Sequence, residues 1–580
     1  MSKVYGIDLG TTYSAIATLN DSGMPEVIEN FADSSPLLAS AVYFPDGGGP
    51  VVGNEAKNQL EIEPQNVVQF VKREIGKPDA MSRDFGGITY DPVTISALIL
   101  KRMKEYAGEQ GHDVENVVIT CPAYFGIEER NATEQAGKIA GLNVLNIVNE
   151  PTAAALNYLA REFKESRKIL VYDLGGGTFD VTLIDFSVDD SGKSSIDVIR
   201  SGGHDQLGGK DWDSRLYGHI CDLYADENGV SVDDMDAELR QKIRANVELT
   251  KKSLSNLKNK SFAITYDGEA SRFDITREKF EELSSDLVTQ TINYVNKVLQ
   301  DEGLSPSDVE VVLMVGGSTK MPMVKDAVEN MFPGKVRVED PDLAVAKGAA
   351  FAAATEFNES IREYIERKEQ QEITGSAALE QPEFSGGFEN FVTEQNEPIS
   401  VEEAKSMVID VPKVLSDKSQ INDILSRSFG PKILNETEDF LIIDNILFVR
   451  DKAPSTETKM YGTIKDNQDA VKLEIFENIA ERGCAPIRTM DSSGNEIDPD
   501  PSLLVKNIGE VVLELPPNTP AGSPIEVTIC GNTKGIDVIA RNPQTNHSIK
   551  AFFESQHGMS ETELNDAIKR FASIKTSGQI

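Results

Sequence analysis

Up to about residue 355 the chain alternates short apolar runs with longer stretches whose apolar positions recur every three to four residues. That is the pattern of strands interleaved with helices in an α/β domain. Apolar stripes predict helices over 95–108, 127–141, 236–257 and 276–302, and a last long helix over 344–368 that turns polar towards its end. The pattern then breaks. Residues 369–403 hold nine glutamates and no lysine or arginine, interrupted by Pro382, Gly386, Gly387 and Pro398, so 369–422 is expected to be an acidic, disordered linker. Inside it Phe384, Phe388 and Phe391 fall at i, i+4 and i+7, the spacing of a short apolar helical face. Chance aromatics and a self-ligand for a binding groove are both open readings of that stripe.

From about Asp423 the pattern becomes β. Runs over 469–476, 509–515, 524–530 and 535–540 alternate or stay apolar, and Pro516-Pro517-Asn518, Ala521-Gly522 and Gly531-Asn532 supply turns between them. A β-sandwich over 423–556 is the simplest arrangement. Residues 557–580 read as a short helix, with the capping-box pattern Ser560-Glu561-Thr562-Glu563 ahead of the stripe Leu564, Ile568, Phe571. The domain plan is therefore 1–368, the linker 369–422, the sandwich, and the final helix.

Charge narrows the partners. With 57 Lys plus Arg against 95 Asp plus Glu, the chain carries a net charge of −38, a field that repels nucleic acid and anionic membranes. Cys121, Cys221, Cys484 and Cys530 have no metal-ligand spacing. No run approaches the ~20 apolar residues of a membrane span, and Met1-Ser2-Lys3 leads directly into a strand, so a cytoplasmic location is expected.

The chemistry lies in the turns. Val4 to Ala15 and Leu170 to Val181 both read as strand, Asp-Leu-Gly, glycine- and threonine-rich turn, strand, about 165 positions apart. Glycine lets successive amides point at a phosphate, threonine adds hydroxyl donors, and an aspartate at the strand end offers the hard oxygen that Mg²⁺ prefers. One such hairpin is weak evidence for a nucleotide site. Two, with Val311 to Thr319 as a third strand ending in Gly316-Gly317-Ser318-Thr319, form a phosphate clamp. No Walker loop is present, because in His204 to Asp211 a histidine stands for the first glycine and Asp211 for the magnesium-binding hydroxyl. Asp180 likewise spoils a dinucleotide fingerprint at Gly175 to Asp180, but beside a metal or an attacking water a carboxylate is useful.

The segments Asp8-Leu9-Gly10-Thr11-Thr12, Asp173 to Asp180, Asn149-Glu150-Pro151-Thr152-Ala153-Ala154-Ala155 and Gly316 to Thr319 together resemble the ATPase domain of the DnaK-type seventy-kilodalton heat-shock chaperones. Pro122-Ala123-Tyr124-Phe125 and Gln206 to Asp211 fit the same pattern. The resemblance implies an actin-like α/β fold with ATP or ADP, Mg²⁺ and K⁺ in the cleft between two lobes. It implies that Gly10, Thr11, Thr12, Tyr13, Gly176, Gly177 and Thr178 cradle phosphates, that Asp8 and Asp173 hold the metal shell, and that Lys72 faces the γ-phosphate. Glu150, Asp173, Thr178 and Asp180 would serve hydrolysis. Glu248, Lys251, Lys252, Ser255, Gly316, Gly317, Ser318, Lys320 and Asp342 match nucleotide contacts, with Lys320 where many relatives have arginine.

The second half is similar more loosely. Tyr461 to Val471 resembles the family's peptide-binding sandwich, which implies Tyr461, Ile464 and Val471 beside a bound extended polypeptide; a plain sandwich core explains Val471 as well. Pro122 and Arg130 match a relay to the interdomain linker, for which Met407 to Val411 and Ile421 to Leu425 compete. The second, carrying Asp423, aligns better. A J-domain cochaperone and a nucleotide exchange factor are candidate partners, although Asn146 replaces a basic residue of J-domain-contacting relatives. The single final helix implies a truncated lid and faster peptide escape. The expected activity is ATP hydrolysis coupled to binding and release of unfolded polypeptide. The alternative is an actin-like ATPase whose second half is a regulatory or partner-specific module. A small-molecule kinase or a filament-forming actin relative would share the core, and the β-rich second half argues against the kinase.

Overall fold

The structure, a computed structural model, describes residues 3–577 apart from 32–33, 78–79, 81, 162–164, 190–193, 375–398, 413–419, 436–439, 482, 487–503, 533–534, 554–558 and 573. Phe384, Phe388 and Phe391 lie outside the described residues.

Two sheets repeat one plan. In lobe I, Val4–Asp8 pairs antiparallel with Tyr13–Leu19 and parallel with Asn116–Cys121. In lobe II, Arg167–Leu174 pairs antiparallel with Phe179–Val188 and parallel with Val311–Val315. The two Asp-Leu-Gly turns thus sit at equivalent corners of equivalent sheets. The helices Glu150–Leu159 and Ala344–Thr374 join residues of both sheets in one apolar cluster, including Ala15, Val171, Leu156 and Phe351. These two helices cross so closely that a Cβ on Gly348 would lie 1.6 Å from the Ala153 carbonyl oxygen. Only glycine fits there.

The predicted helices form with legible starts. Asp91, Asp236 and Thr276 accept amide hydrogens from Thr94, Leu239 and Lys279, opening Pro92–Glu109, Ala237–Asn256 and Arg277–Asp301. The long helix runs on to Thr374, past the expected end at residue 368.

The expected β-sandwich follows. One sheet orders Cys484–Pro486, Phe440–Asp444, Ser428–Asn435, Ala470–Asn478 and Lys506–Glu514; the other orders Ser455–Gly462, Pro524–Gly531, Ile536–Arg541 and Ser548–Phe553. Ile475, Leu513, Val527, Ile529 and Val538 fill the space between them.

The span expected to be a disordered linker departs from that expectation over 399–412. Helix Val401–Ser406 packs on the long helix, Ala404 is fully buried, and Ile399, Met407, Ile409 and Val411 cover the same core. Asn358 clasps Ile409 through two hydrogen bonds of 2.8 Å, and the Tyr364 hydroxyl donates to the Ile399 carbonyl at 2.7 Å. Acidic composition pointed to disorder, but these spaced apolar side chains find a helix face to cover. Farther on, Gln420–Ile424 adds a strand to lobe II, parallel to Ser194–His204.

The sandwich also leans on lobe I. Ile127 joins the sandwich core cluster, Lys506 pairs with the buried Glu128, and Arg427 donates to the Tyr124 carbonyl at 3.3 Å. Among the described residues no helix is long and apolar enough to cross a membrane.

Candidate functional site in the interlobe cleft

The two turns face each other across the cleft at contact distance. A Cβ on Gly176 would lie 1.9 Å from Thr12 Oγ1, which explains the glycine in the second turn. The first turn is braced by Ser14 Oγ, which accepts from the Gly10 amide at 3.2 Å, and by Ser40, which donates to the Gly10 carbonyl at 2.8 Å. In the second, the Gly175 amide donates to the Thr178 carbonyl at 3.0 Å, and Ser318 of the third glycine patch donates to the Gly175 carbonyl at 2.8 Å. All three glycine segments therefore meet.

Between them opens a cavity of about 840 Å³. Its walls include Asp8, Gly10, Thr11, Thr12, Tyr13, Lys72, Glu150, Asp173, Gly176 and Thr178, and also Glu248, Lys251, Lys252, Ser255, Gly316, Gly317, Ser318, Lys320 and Asp342. Of the residues expected around nucleotide, Gly177 and Asp180 do not line it. Gly177 turns its carbonyl to the Arg73 guanidinium, and Asp180 is buried opposite Asp173 in the strand register.

Charge in this cleft is unbalanced. Lys72 is buried and paired with the buried Glu150. Burial opposes its ammonium, yet the Glu150 and Asp8 charges prevail and raise its pKa. For the other acids Lys72 offsets the cost only in part: burial first, then the neighbouring Glu150 charge, pushes Asp8 up to about 7 and raises Asp173 and Asp180 well above the usual carboxylate range. Four carboxylates thus share one buried ammonium. A hard divalent cation would discharge that excess. Among the described residues no three His, Cys, Asp or Glu side chains converge enough to hold a metal ion by themselves.

At the mouth, Lys57 reaches across the cleft to Glu248 and to the Tyr13 hydroxyl, the latter at 2.9 Å. Lys252 joins them, and both ammoniums sit over the Tyr13 ring, 4.8 and 4.6 Å from its centre. Burial works against the Glu248 charge, but Lys57 and Lys252 outweigh it and hold this carboxyl down at about 2. Tyr13 therefore gives its backbone to the first glycine–threonine turn and its side chain to the mouth. Lys320 pairs with Asp342, and Lys251 with Asp213 at 2.9 Å. The sequence did not single out Lys57, Arg73 or Asp213; Arg73, directly after Lys72, had the nearest signal, and Asp213 lies two positions beyond the Gln206 to Asp211 segment.

A polar chain leaves the cleft towards the sandwich. Arg130 donates to Asn149, the neighbour of Glu150, and Asn149 donates to Asp423 in the strand that precedes the sandwich. Asn149 thus links Arg130 to Asp423. Pro122 stands where strand Asn116–Cys121 ends, its carbonyl accepting from the Phe125 amide at 3.1 Å. Of the two linker candidates, Gln420–Ile424 carries this contact, whereas 407–411 is fastened to the long helix.

In the sandwich, the Tyr461 hydroxyl donates to Asp444 at 2.9 Å, Val471 packs partly buried on the core opposite Leu513, and Ile464 is 60% exposed. Asn146 is engaged by Glu356 at 2.7 Å.

Comparison with known proteins accords with this geometry. The family model described as Hsp70 protein matches residues 4–407, ending before the sandwich. The proteins named chaperone protein DnaK from Thermotoga neapolitana and Thermotoga petrophila are each 40% identical to this chain over 361 residues. That alignment covers 60% of this chain and 59% of each relative's length. The chain belongs to the Hsp70 protein family.

Proposed function

We propose that the protein is an ATP-dependent chaperone that hydrolyses ATP and passes the state of the cleft to a polypeptide-binding sandwich. The relatives named chaperone protein DnaK support the activity. In this reading the turn amides and threonines hold the phosphates of ATP or ADP. Asp8 and Asp173 hold Mg²⁺, which supplies charge neutralisation at the phosphates. Lys72 stabilises charge on the transferring group, while Glu150 and Thr178 orient water and Asp180, which does not line the cavity, acts on the site through its charge beside Asp173.

The observation that carries the coupling is the chain from Glu150 through Asn149 to Asp423. A shift of Glu150 on loss of the γ-phosphate displaces Asn149, which holds the strand Gln420–Ile424 in the lobe II sheet. Release of that strand frees the sandwich, where Tyr461, Ile464 and Val471 flank an extended peptide held by main-chain hydrogen bonds. The test is peptide release measured with ATP and with ADP, beside ATP turnover with and without unfolded peptide. Faster release in ATP and stimulated turnover are expected; peptide binding indifferent to the nucleotide sinks the proposal.

A further inference from the structure

Residues 559–577 do more than form the expected final helix. Helix Glu561–Ala572 lies against helix Ile127–Ile139 of lobe I, with Ala567 and Phe571 buried inside the lobe I core. The Phe571 ring meets Tyr90 edge to face, 6.3 Å between centres, and its carbonyl accepts from Lys101. Gln135 brackets the backbone of Met559 with two hydrogen bonds of 3.1 Å. Beyond the helix, Thr576 donates to Glu105, and Ser577 pairs in parallel with Val51. The Val52 amide donates to the Ser577 carbonyl at 2.8 Å, and the Ser577 amide to the Pro50 carbonyl at 3.1 Å.

This last pairing falls on a functional edge. Val51–Val52 is the outer strand of a small sheet with Ala41–Tyr43 and Val67–Gln69. Directly after it comes the helix Asn54–Asn58, and Asn54 and Lys57 line the cleft cavity. Lys57 is the side chain that crosses the mouth to Glu248. On the other side of the sheet, Val67–Gln69 leads to Phe70 and Lys72, which also line the cavity. The tail therefore bridges, through Ser577, the edge of the sheet whose ends lead to the mouth and to Lys72.

We propose that residues 559–577 are a built-in brake on nucleotide release: they hold the Val51–Val52 edge in place, so that Lys57 stays engaged with Glu248 and the cleft mouth stays shut. The bridge satisfies the Val52 edge amide, which otherwise faces water, and the buried Phe571 anchors the tail that makes it. A nucleotide leaves only when the Lys57 side swings outward, and that motion must first strip the tail or bend the sheet. The inference rests on the reading of the cleft as a nucleotide site.

The experiment uses the full chain, with ADP carrying a fluorescent ribose tag chased by excess unlabelled ADP, beside amide hydrogen exchange over 49–58. Two variants disturb the tail at different points: Phe571→Ser removes the anchor, and Ser577→Pro removes the amide donor of the bridge. Both are expected to lose protection over 49–58 and to release the tagged ADP about tenfold faster, the size of an ordinary site-to-site coupling. Unchanged release from a variant whose 49–58 amides have lost protection overturns the brake. Unchanged protection in both variants also overturns it, since the tail then does not hold this edge. If the unaltered chain fails to retain tagged ADP at all, the nucleotide reading itself has failed, which is a different result.

Discussion

The cleft and the sandwich–lobe contact both bury carboxylates, and they answer the cost differently. In the cleft, Asp8, Glu150, Asp173 and Asp180 act on one another, with the buried Lys72 as the ammonium they share. At the contact, Glu128, Glu129 and Glu477 face Lys506 and Arg427, so charge is balanced to within one unit. The residual unit falls on Glu477: burial pushes its carboxyl up to about 7, and its Oε2 is buried with no hydrogen-bond partner among the described residues. Burying an unpaired charge is expensive. An excess of several charges marks a place that an outside cation completes, whereas near balance marks a surface that opens and closes.

The largest effect follows from the excess. Lys72→Ala is expected to lower single-turnover ATP hydrolysis by about 10²–10³, the usual loss for one charge-stabilising contact. A rate within a few-fold of the unaltered chain would show that the buried Lys72–Glu150 pair is structural only and would collapse the contrast between the two regions. Next in size is the link between them. Asp423→Ala removes the acceptor that Asn149 uses, and it should cut the response of ATP turnover to peptide by roughly 5- to 100-fold in coupling while leaving the basal rate within about twofold. A full peptide response in that variant would move the coupling elsewhere.

The contact itself should titrate. The docked state binds the Glu477 proton more tightly than an ordinary glutamate does, because burial penalises its charge. Docking is therefore strongest below pH ~4.5, weakens as pH rises towards 7, and changes little above that. Fluorescence transfer between labels on lobe I and the sandwich would follow it, and Glu477→Gln should flatten the profile between pH 5 and 7. A flat profile in the unaltered chain would mean that Arg427 and Lys506 already neutralise the cluster.

These regions differ as much in how far the sequence displays them. The phosphate turns are legible because local backbone demands dictate them: glycine at Gly176, where Thr12 leaves no room, and an aspartate at each strand end. Helix starts at Asp236 and Thr276 are equally local. Lys57 is not, since its meaning arises only from Glu248, 191 positions away. The packed segment 399–412 hid behind its acidic composition, although Ser400 and Glu403 form a capping box that local inspection could have found. For the tail, the stripe Leu564, Ile568, Phe571 announced a helix with one apolar face, but its destination in lobe I depends on a groove made by residues far away in the chain.

At the solvent end of the cleft the same logic predicts a small effect. Lys320 is 52% exposed along its side chain and paired with Asp342, so water screens most of what that ion pair could contribute. An arginine there keeps the carboxylate contact and adds a flat guanidinium able to stack on a base, which a compact ammonium cannot do. Lys320→Arg should therefore tighten ADP binding by about two- to fivefold, the range of an exposed cation–π contact, with kcat within twofold. Calorimetric titration measures it. If the arginine weakens binding, Lys320 contributes through its length or its pairing with Asp342 rather than through the face it presents. The exposed rim would then be governed, like the buried core of the cleft, by charge placement.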